Sequence, residues 1–250
     1  MNAEPFPESG AEAPPLDLMW FLPSGGDGSY LGTGKGHRVV DNRYLRQIAQ
    51  AADQLGYSGV LLPTGNGCED ALVTASSIAP FTERLRFLVA LRPGLTLPGE
   101  AARQYAALDR LTGGRLMANV VCGGNPADLA GDGLTLGHDE RYAQADDFLT
   151  IWRGLMAGQT VQHEGTYLSS RGGRLAFPPV QRPHPPLYFV GLEQRLQAVA
   201  PASRVRPVGT LAWLIGVRIA CRRAARRAAK RALRWARILR MLWPQPQRTA

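Results

Sequence analysis

The chain has 250 residues, 45% of them hydrophobic, with 29 Lys and Arg against 20 Asp and Glu, a formal net charge of +9. This length and apolar content suffice for one large domain or two small ones, and the composition excludes a collagen, a disulfide scaffold and a wholly disordered chain. The net charge alone would suggest a nucleic-acid partner, but the excess of positive charge lies entirely in the last quarter of the chain, and the rest is net negative.

Residues 1–15 are rich in Pro and Glu and are expected to be a disordered leader. After them, short apolar runs that predict buried strands alternate with amphipathic segments that predict helices. The predicted strands are 16–22, 59–62, 85–91, 115–121 and 185–189, and the predicted helices are 42–55, 69–79, 98–111 and 139–157. Asp41 stands where the first helix would be capped, and Gly56 where it would end. Residues 159–177 instead predict an inserted hairpin.

Alternating strands and helices of this kind form a parallel sheet covered by helices. The loops after the strands are long and rich in Gly, whereas those after the helices are short, which is typical of a (β/α)8 TIM-type barrel with its chemistry at the carboxyl ends of the strands. A complete barrel typically needs about 250 residues, and here about five strands are complete by residue 189. The predicted fold class is therefore α/β, an incomplete barrel over residues 16–189.

The composition changes sharply after Phe189. Residues 1–189 carry 15 Lys and Arg against 19 Asp and Glu, a net charge of −4, whereas residues 190–250 carry 14 against one, a net charge of +13. A basic amphipathic helix over 211–243 that binds anionic lipid or nucleic acid is one interpretation. We favour another, in which the Arg/Ala-rich tail 190–250, helical or disordered, is out-of-frame sequence in a truncated copy, so that no nucleic-acid partner is expected.

Cysteine content and hydropathy indicate a location. Cys68, Cys122 and Cys221 do not form a disulfide framework, which fits a reducing compartment. The N-terminus lacks the apolar core of a signal peptide, and no apolar run reaches the roughly 18 residues that a membrane span needs. We therefore expect a cytoplasmic protein with no membrane span.

A series of short motifs follows the predicted elements in order. They are Trp20-Phe21-Leu22-Pro23, Gly26-Asp27-Gly28, Tyr30-Leu31-Gly32-Thr33, Leu45-Arg46-Gln47-Ile48-Ala49-Gln50-Ala51-Ala52-Asp53, Pro63-Thr64-Gly65, Cys68-Glu69-Asp70, Phe87-Leu88-Val89-Ala90-Leu91-Arg92-Pro93, Leu108-Asp109-Arg110-Leu111, Gly113-Gly114-Arg115, Ala130-Gly131-Asp132-Gly133, Glu140-Arg141-Tyr142 and Pro185-Pro186-Leu187-Tyr188-Phe189. In this order and spacing they resemble the flavin-dependent alkanesulfonate monooxygenases of the bacterial luciferase-like superfamily.

The resemblance implies a two-component monooxygenase. A separate NAD(P)H-dependent FMN reductase would supply reduced FMN, and O2 would be the co-substrate. The reaction would cleave the C–S bond of an alkanesulfonate to give an aldehyde and sulfite. The protein would hold the flavin, exclude water and bind the sulfonate anion, and intact relatives of this kind associate into homo-oligomers.

Five residues match positions that act in the family. Asn119 matches a position that hydrogen-bonds the flavin ring, although a polar residue at a strand end is the plainer interpretation. Asp128 matches an acidic flavin contact or is an ordinary loop carboxylate. Arg141 and Tyr142 resemble a pair that contacts FMN, with Arg suited to phosphate, or they are a helix-start Arg beside a core Tyr. Cys68 matches a cysteine near the active site, with a tuning role in catalysis or none. No metal site is expected.

The resemblance ends after the fifth strand. There the family has a Gly-Gly-Ser-Ser turn that receives the FMN phosphate, whereas this chain has Val190-Gly191-Leu192-Glu193, which offers no hydroxyl and adds a negative charge. The Arg, His and Tyr that the family uses for sulfonate binding and proton transfer have no counterpart. The alternatives are therefore a non-catalytic remnant of the enzyme, another luciferase-like flavin monooxygenase, or a basic-helix binding protein.

Overall fold

The structure, a computed structural model, describes residues 17–28, 37–189 and 206–207. The predicted leader 1–15, Cys221 and all of the predicted tail 190–250 except 206–207 lie outside these residues. The chain divides into two compact units, Met1–Pro207 and Val208–Ala250, and only the first contains described residues.

The elements of the first unit alternate between strand and helix. In chain order they are β1 (Met19–Phe21), β2 (Asp27–Gly28), β3 (His37–Arg38), α1 (Asn42–Gln54), β4 (Gly59–Leu62), α2 (Ala71–Ile78), a 3-10 turn (Ala79–Phe81), β5 (Arg86–Leu91), α3 (Pro98–Leu111), β6 (Leu116–Val120), α4 (Pro126–Gly131), α5 (His138–Met156), β7 (Val161–Glu164), β8 (Ser169–Gly173), β9 (Leu187–Phe189) and β10 (Arg206–Pro207). The main sheet is parallel throughout, with the order β1-β4-β5-β6-β9-β10.

The five predicted strands and the hairpin are confirmed, with ends that differ by a few residues. The Asp41 carboxylate accepts a hydrogen bond from the backbone N–H of Arg43 at 2.9 Å and so caps α1. Gly56, with φ of +75°, ends that helix because a left-handed backbone costs glycine little. The predicted fold class, an incomplete α/β barrel, is the observed one.

The short elements α4, β2, β3 and β10 were not predicted. The segment taken as a long loop before α5 contains α4, whose start is marked by Asn125, which caps the backbone N–H of Ala127, and by Pro126. This Asn-Pro pair is a recognisable start signal for a helix. The antiparallel pair β2–β3 and the two-residue strand β10 are too short to show a period in the sequence.

The register of the sheet separates two sets of side chains. Leu62, Val89 and Ala118 lie side by side, are fully buried, and belong to the core that packs against the helices. Side chains alternate between the faces of a strand, so the adjacent row, which includes Asn119 and Tyr188, points to the opposite face. In a barrel that face is the interior, and Asn119 therefore lies on the side where a ligand would enter.

The hairpin β7–β8 is attached to α5 through Asp147. The Asp147 carboxylate accepts hydrogen bonds from the backbone N–H groups of Tyr167 at 2.8 Å and Leu168 at 3.2 Å. The same carboxylate contacts the His163 ring nitrogen at 2.9 Å. Through these three contacts a single carboxylate on α5 holds the hairpin against that helix.

Protonation of Asp147 is expected to loosen the hairpin. Burial acts to raise its pKa, but the hydrogen bonds from Tyr167, His163 and Leu168 together hold the pKa below its usual value. A carboxylate with a lowered folded-state pKa contributes stability above its unfolded pKa of about 3.9, and loses it as pH falls through the folded value. We expect Asp147→Asn to lower the melting temperature near pH 7, and the difference from the unmodified chain to disappear near pH 2. A difference that is constant with pH would contradict this role.

Candidate active site

The loops that follow β4 and β5 surround a cavity of about 530 Å³ at the carboxyl edge of the sheet. The first turns of α2 and the middle of α3 complete its wall. The polar residues that line it include Cys68, Arg92, Tyr105 and Asp132. Because the ends of parallel strands are where α/β barrels carry their ligands, this edge is the candidate active site.

Cys68 lies on the cavity wall with a half-buried, free thiol. Its backbone N–H donates to the carbonyl oxygen of Gly65 at 2.9 Å, which closes a tight turn after β4. The loop after β1 packs directly on this turn, since a Cβ on Gly25 would lie 3.3 Å from Cys68 Sγ and 2.5 Å from the carbonyl oxygen of Gly67. Only glycine at position 25 allows the two loops to approach so closely.

Asn119 lies in β6 and is 5% exposed. Its Oδ1 is buried and accepts no hydrogen bond from the described part of the protein. An unsatisfied buried carbonyl costs about 1–3 kcal/mol, so this atom calls for a donor that the described chain does not supply. In the sequence this position was conspicuous as an amide inside an otherwise apolar strand. In the structure the amide oxygen is buried without a described hydrogen-bond donor.

Arg141 and Tyr142 lie in the first turns of α5. The Arg141 guanidinium donates from Nε to the carbonyl oxygen of Cys122 at 3.0 Å and from Nη1 to that of Leu136 at 2.8 Å. The Tyr142 ring lies 6.0 Å from the ring of Phe189 at the end of β9. Arg141 therefore holds the segment after β6, and among the described contacts one N–H of Nη1 and both of Nη2 remain for a ligand.

The sequence-predicted residues fall into two groups. Asn119 points to the interior face of β6, whereas Tyr142 contacts Phe189 on the helix-packing face, so the structure does not bring these two together. Of the five residues, Cys68 alone lines the cavity. Asp128 lies in the first turn of α4 and is half-buried. Neither Arg92 nor Asp132 was predicted to be a site residue, although Arg92 follows directly after β5, a position that indicates a ligand contact in this fold class.

Cys68 and Cys122 are expected to differ sharply in reactivity. Cys122 is 5% exposed, and burial raises the pKa of its thiol to about 12, against a smaller opposing effect of Arg141. Because the thiolate is the nucleophile, iodoacetamide at pH 8 should alkylate Cys68 and spare Cys122. Peptide mass spectrometry of the native chain measures both, with the urea-unfolded chain as the control in which both react. Equal labelling in the native chain would contradict the buried position of Cys122.

Within the described ranges, no group of three or more His, Cys, Asp and Glu side chains is placed to hold a metal ion. No helix in the same ranges is long and apolar enough to cross a bilayer.

Comparison with known proteins identifies the family. The model of the luciferase-like monooxygenase family matches residues 16–236. The chain belongs to the luciferase-like monooxygenase family. The match covers most of the chain and continues past the change of composition at Phe189.

Solved structures of monooxygenases and related flavin proteins share the family fold. EDTA monooxygenase from Chelativorans sp. BNC1 is 24% identical, with a TM-score of 0.64, and the match covers 73% of this chain and 51% of that one. A riboflavin lyase with modified FMN is 24% identical, with a TM-score of 0.63, covering 74% and 52%. The oxygenating constituent of 3,6-diketocamphane monooxygenase from Pseudomonas putida, in complex with FMN, is 15% identical, with a TM-score of 0.60, covering 76% and 56%. The chain thus spans about half the length of these relatives.

Proposed function

We propose that this chain is an FMN-dependent monooxygenase whose flavin ring lies at the carboxyl ends of β6 and β9. The observation that carries the proposal is the orphaned Oδ1 of Asn119, on the interior face of the sheet. A flavin ring carries an N–H group that could donate to this oxygen, which would satisfy it. Arg141, at the start of α5, would supply its remaining N–H donors to the phosphate, since Nε and one N–H of Nη1 are held by the carbonyl oxygens of Cys122 and Leu136.

The bound flavin would supply the redox chemistry with O2, and the chain's own residues would hold and shield it. The Tyr142 ring packs on Phe189, which belongs to the helix-packing core, so this pair would support the end of β9 from behind and not contact the flavin itself. Asp128, in the short helix after β6, would approach the flavin from the other side, and Cys68 would tune the site from the loop after β4. The free thiols Cys68 and Cys122 support a reducing, cytoplasmic location.

For the substrate, we propose an alkanesulfonate, cleaved to an aldehyde and sulfite, with reduced FMN delivered by a separate NAD(P)H-dependent reductase. The support is the order and spacing of the motifs from Trp20 to Phe189. The family membership supports the monooxygenase class, and the FMN named with two of the solved relatives supports the cofactor.

Sulfite release tests the reaction. The full chain is mixed with a flavin reductase, NADPH, FMN and hexanesulfonate, and sulfite is measured against the same mixture without the chain. We expect sulfite that depends on the chain and on O2. Oxidation of a different substrate without sulfite would favour another flavin monooxygenase of the family, and neither oxidation nor flavin binding would favour the non-catalytic remnant.

A further inference from the structure

Arg92 is the one cation among the described residues that line the cavity. It follows directly after β5, and its side chain is 12% exposed. A guanidinium carries five N–H donors, yet among the described residues the only partner of its side chain is Asp132, from Nη1 to Oδ2 at 3.3 Å. Charge-assisted bonds are typically about 2.7–2.9 Å, so this pair is long and leaves most of the donors available.

The rest of the wall indicates what such a cation would bind. Leu72, Leu91 and Leu95 give the cavity an apolar part beside the Tyr105 ring. An apolar tail attached to a small head group would therefore be accommodated at this volume.

The acidic residues of the wall limit how much negative charge a bound head group can carry. Asp70 caps α2 by accepting from the backbone N–H of Val73 at 2.8 Å, and Glu69 is exposed at the rim. With Asp132 they make three carboxylates against one guanidinium on the wall, so an anion binds only through direct contact with Arg92, and a dianion is repelled more strongly than a monoanion. A phosphate monoester such as the FMN phosphate is thereby disfavoured.

We propose that Arg92 binds the head group of a monoanionic amphiphile of the alkanesulfonate class. The sulfonate oxygens would take a two-point contact from the guanidinium fork in place of the single bond to Asp132. Asp132 would then compete with the ligand and set its affinity. The inference deepens the proposed function, on which it rests for the choice of substrate, by naming a specificity-determining residue at the end of β5.

Binding to the full chain without flavin or reductase tests the inference. Isothermal titration measures the affinity for hexanesulfonate, with hexanol as the neutral tail and inorganic phosphate as the dianion. We expect Arg92→Ala to weaken hexanesulfonate binding about tenfold or more, since a hydrogen-bonded charge is lost, and to leave hexanol unchanged. Asp132→Asn should tighten hexanesulfonate binding several-fold. Arg103→Ala, which removes an exposed Arg paired with Glu100, is the matched control and should have no effect.

Three outcomes would overturn the inference. One is the absence of hexanesulfonate binding or its persistence in Arg92→Ala. A second is phosphate binding as tight as that of hexanesulfonate and lost in the same variant. The third is a loss in Asp132→Asn as large as in Arg92→Ala, because the ion pair would then be only structural. Since no flavin is present, Arg92-dependent binding without sulfite release in the coupled assay would leave the inference standing and refute the proposed function.

Discussion

Replacing Asn119 with Leu is expected to stabilise the protein and to weaken its binding of FMN at least tenfold. Leu has the same number and branching of side-chain heavy atoms as Asn, and it brings no carbonyl group to a position where Oδ1 has no described partner. Removing an unsatisfied buried acceptor should gain about 1 kcal/mol of unfolding free energy, or roughly 2–4 °C in melting temperature. The loss of affinity follows because the flavin ring would lose its acceptor in β6.

Asn125→Leu is the matched control for this substitution. The Asn125 side chain is exposed and its oxygen is satisfied, since it accepts a hydrogen bond from the backbone N–H of Ala127 at 3.0 Å. Loss of that helix cap should cost about 1 kcal/mol and leave FMN affinity unchanged. Thermal unfolding and fluorescence titration with FMN measure both variants. Destabilisation by Asn119→Leu with unchanged FMN affinity would show that Asn119 is a structural residue.

Replacing Arg115 with Ala is expected to destabilise the protein by about 2–3 kcal/mol. The half-buried guanidinium connects the residue after α3 to the segment 79–85, which leads into β5. It donates to the carbonyl oxygens of Thr112, Leu85 and Ala79 and to the hydroxyl of Thr82, over 2.8–3.1 Å. Without the guanidinium these partly buried acceptors lose their shared donor at once, which is far costlier than the loss of a surface charge.

Arg115→Lys tests whether the stability that Arg115 contributes comes from the planar set of donors of the guanidinium or from its charge. An ammonium group carries a similar charge but cannot reach the same set of acceptors from one rigid plane, so Arg115→Lys should recover less than half of the loss. Arg103→Ala, at an exposed ion pair, should cost less than about 1 kcal/mol. Urea unfolding measures all three variants. If Arg115→Ala lowers the free energy of unfolding no more than Arg103→Ala does, the hydrogen bonds of Arg115 do not stabilise the fold as we expect.

Residues whose neighbours lie close in the chain made the fold predictable. Asp41, Gly56 and the apolar runs 59–62 and 86–91 act through their own segments, so their patterns were sufficient. The motif resemblance indicated the luciferase-like family, and the match to the family model confirms it. The sequence indicated Arg115 only as part of a motif, because three of its four acceptors lie in residues 79–85, some 30 residues away in the chain, and meet it only after folding.

The candidate site shows the same division. Asn119 was predictable because an amide in an apolar strand is conspicuous on its own. The carbonyl partners of Arg141 were not, since Cys122 and Leu136 are positioned by the path of a loop. Arg92 was not predicted for a similar reason. Its place on the cavity wall beside Asp132, 40 residues further along the chain, is known only from the folded structure.

Anaerobic titration of the full chain with reduced FMN is the most direct measurement of the proposed function. The fluorescence of reduced FMN, or of the protein's Trp residues, is followed to saturation, and the titration is repeated with Asn119→Leu. We predict saturable one-to-one binding with a dissociation constant in the micromolar range that is at least tenfold weaker in the variant. No saturable binding, or equal binding by both chains, would contradict a flavin site at the carboxyl end of β6.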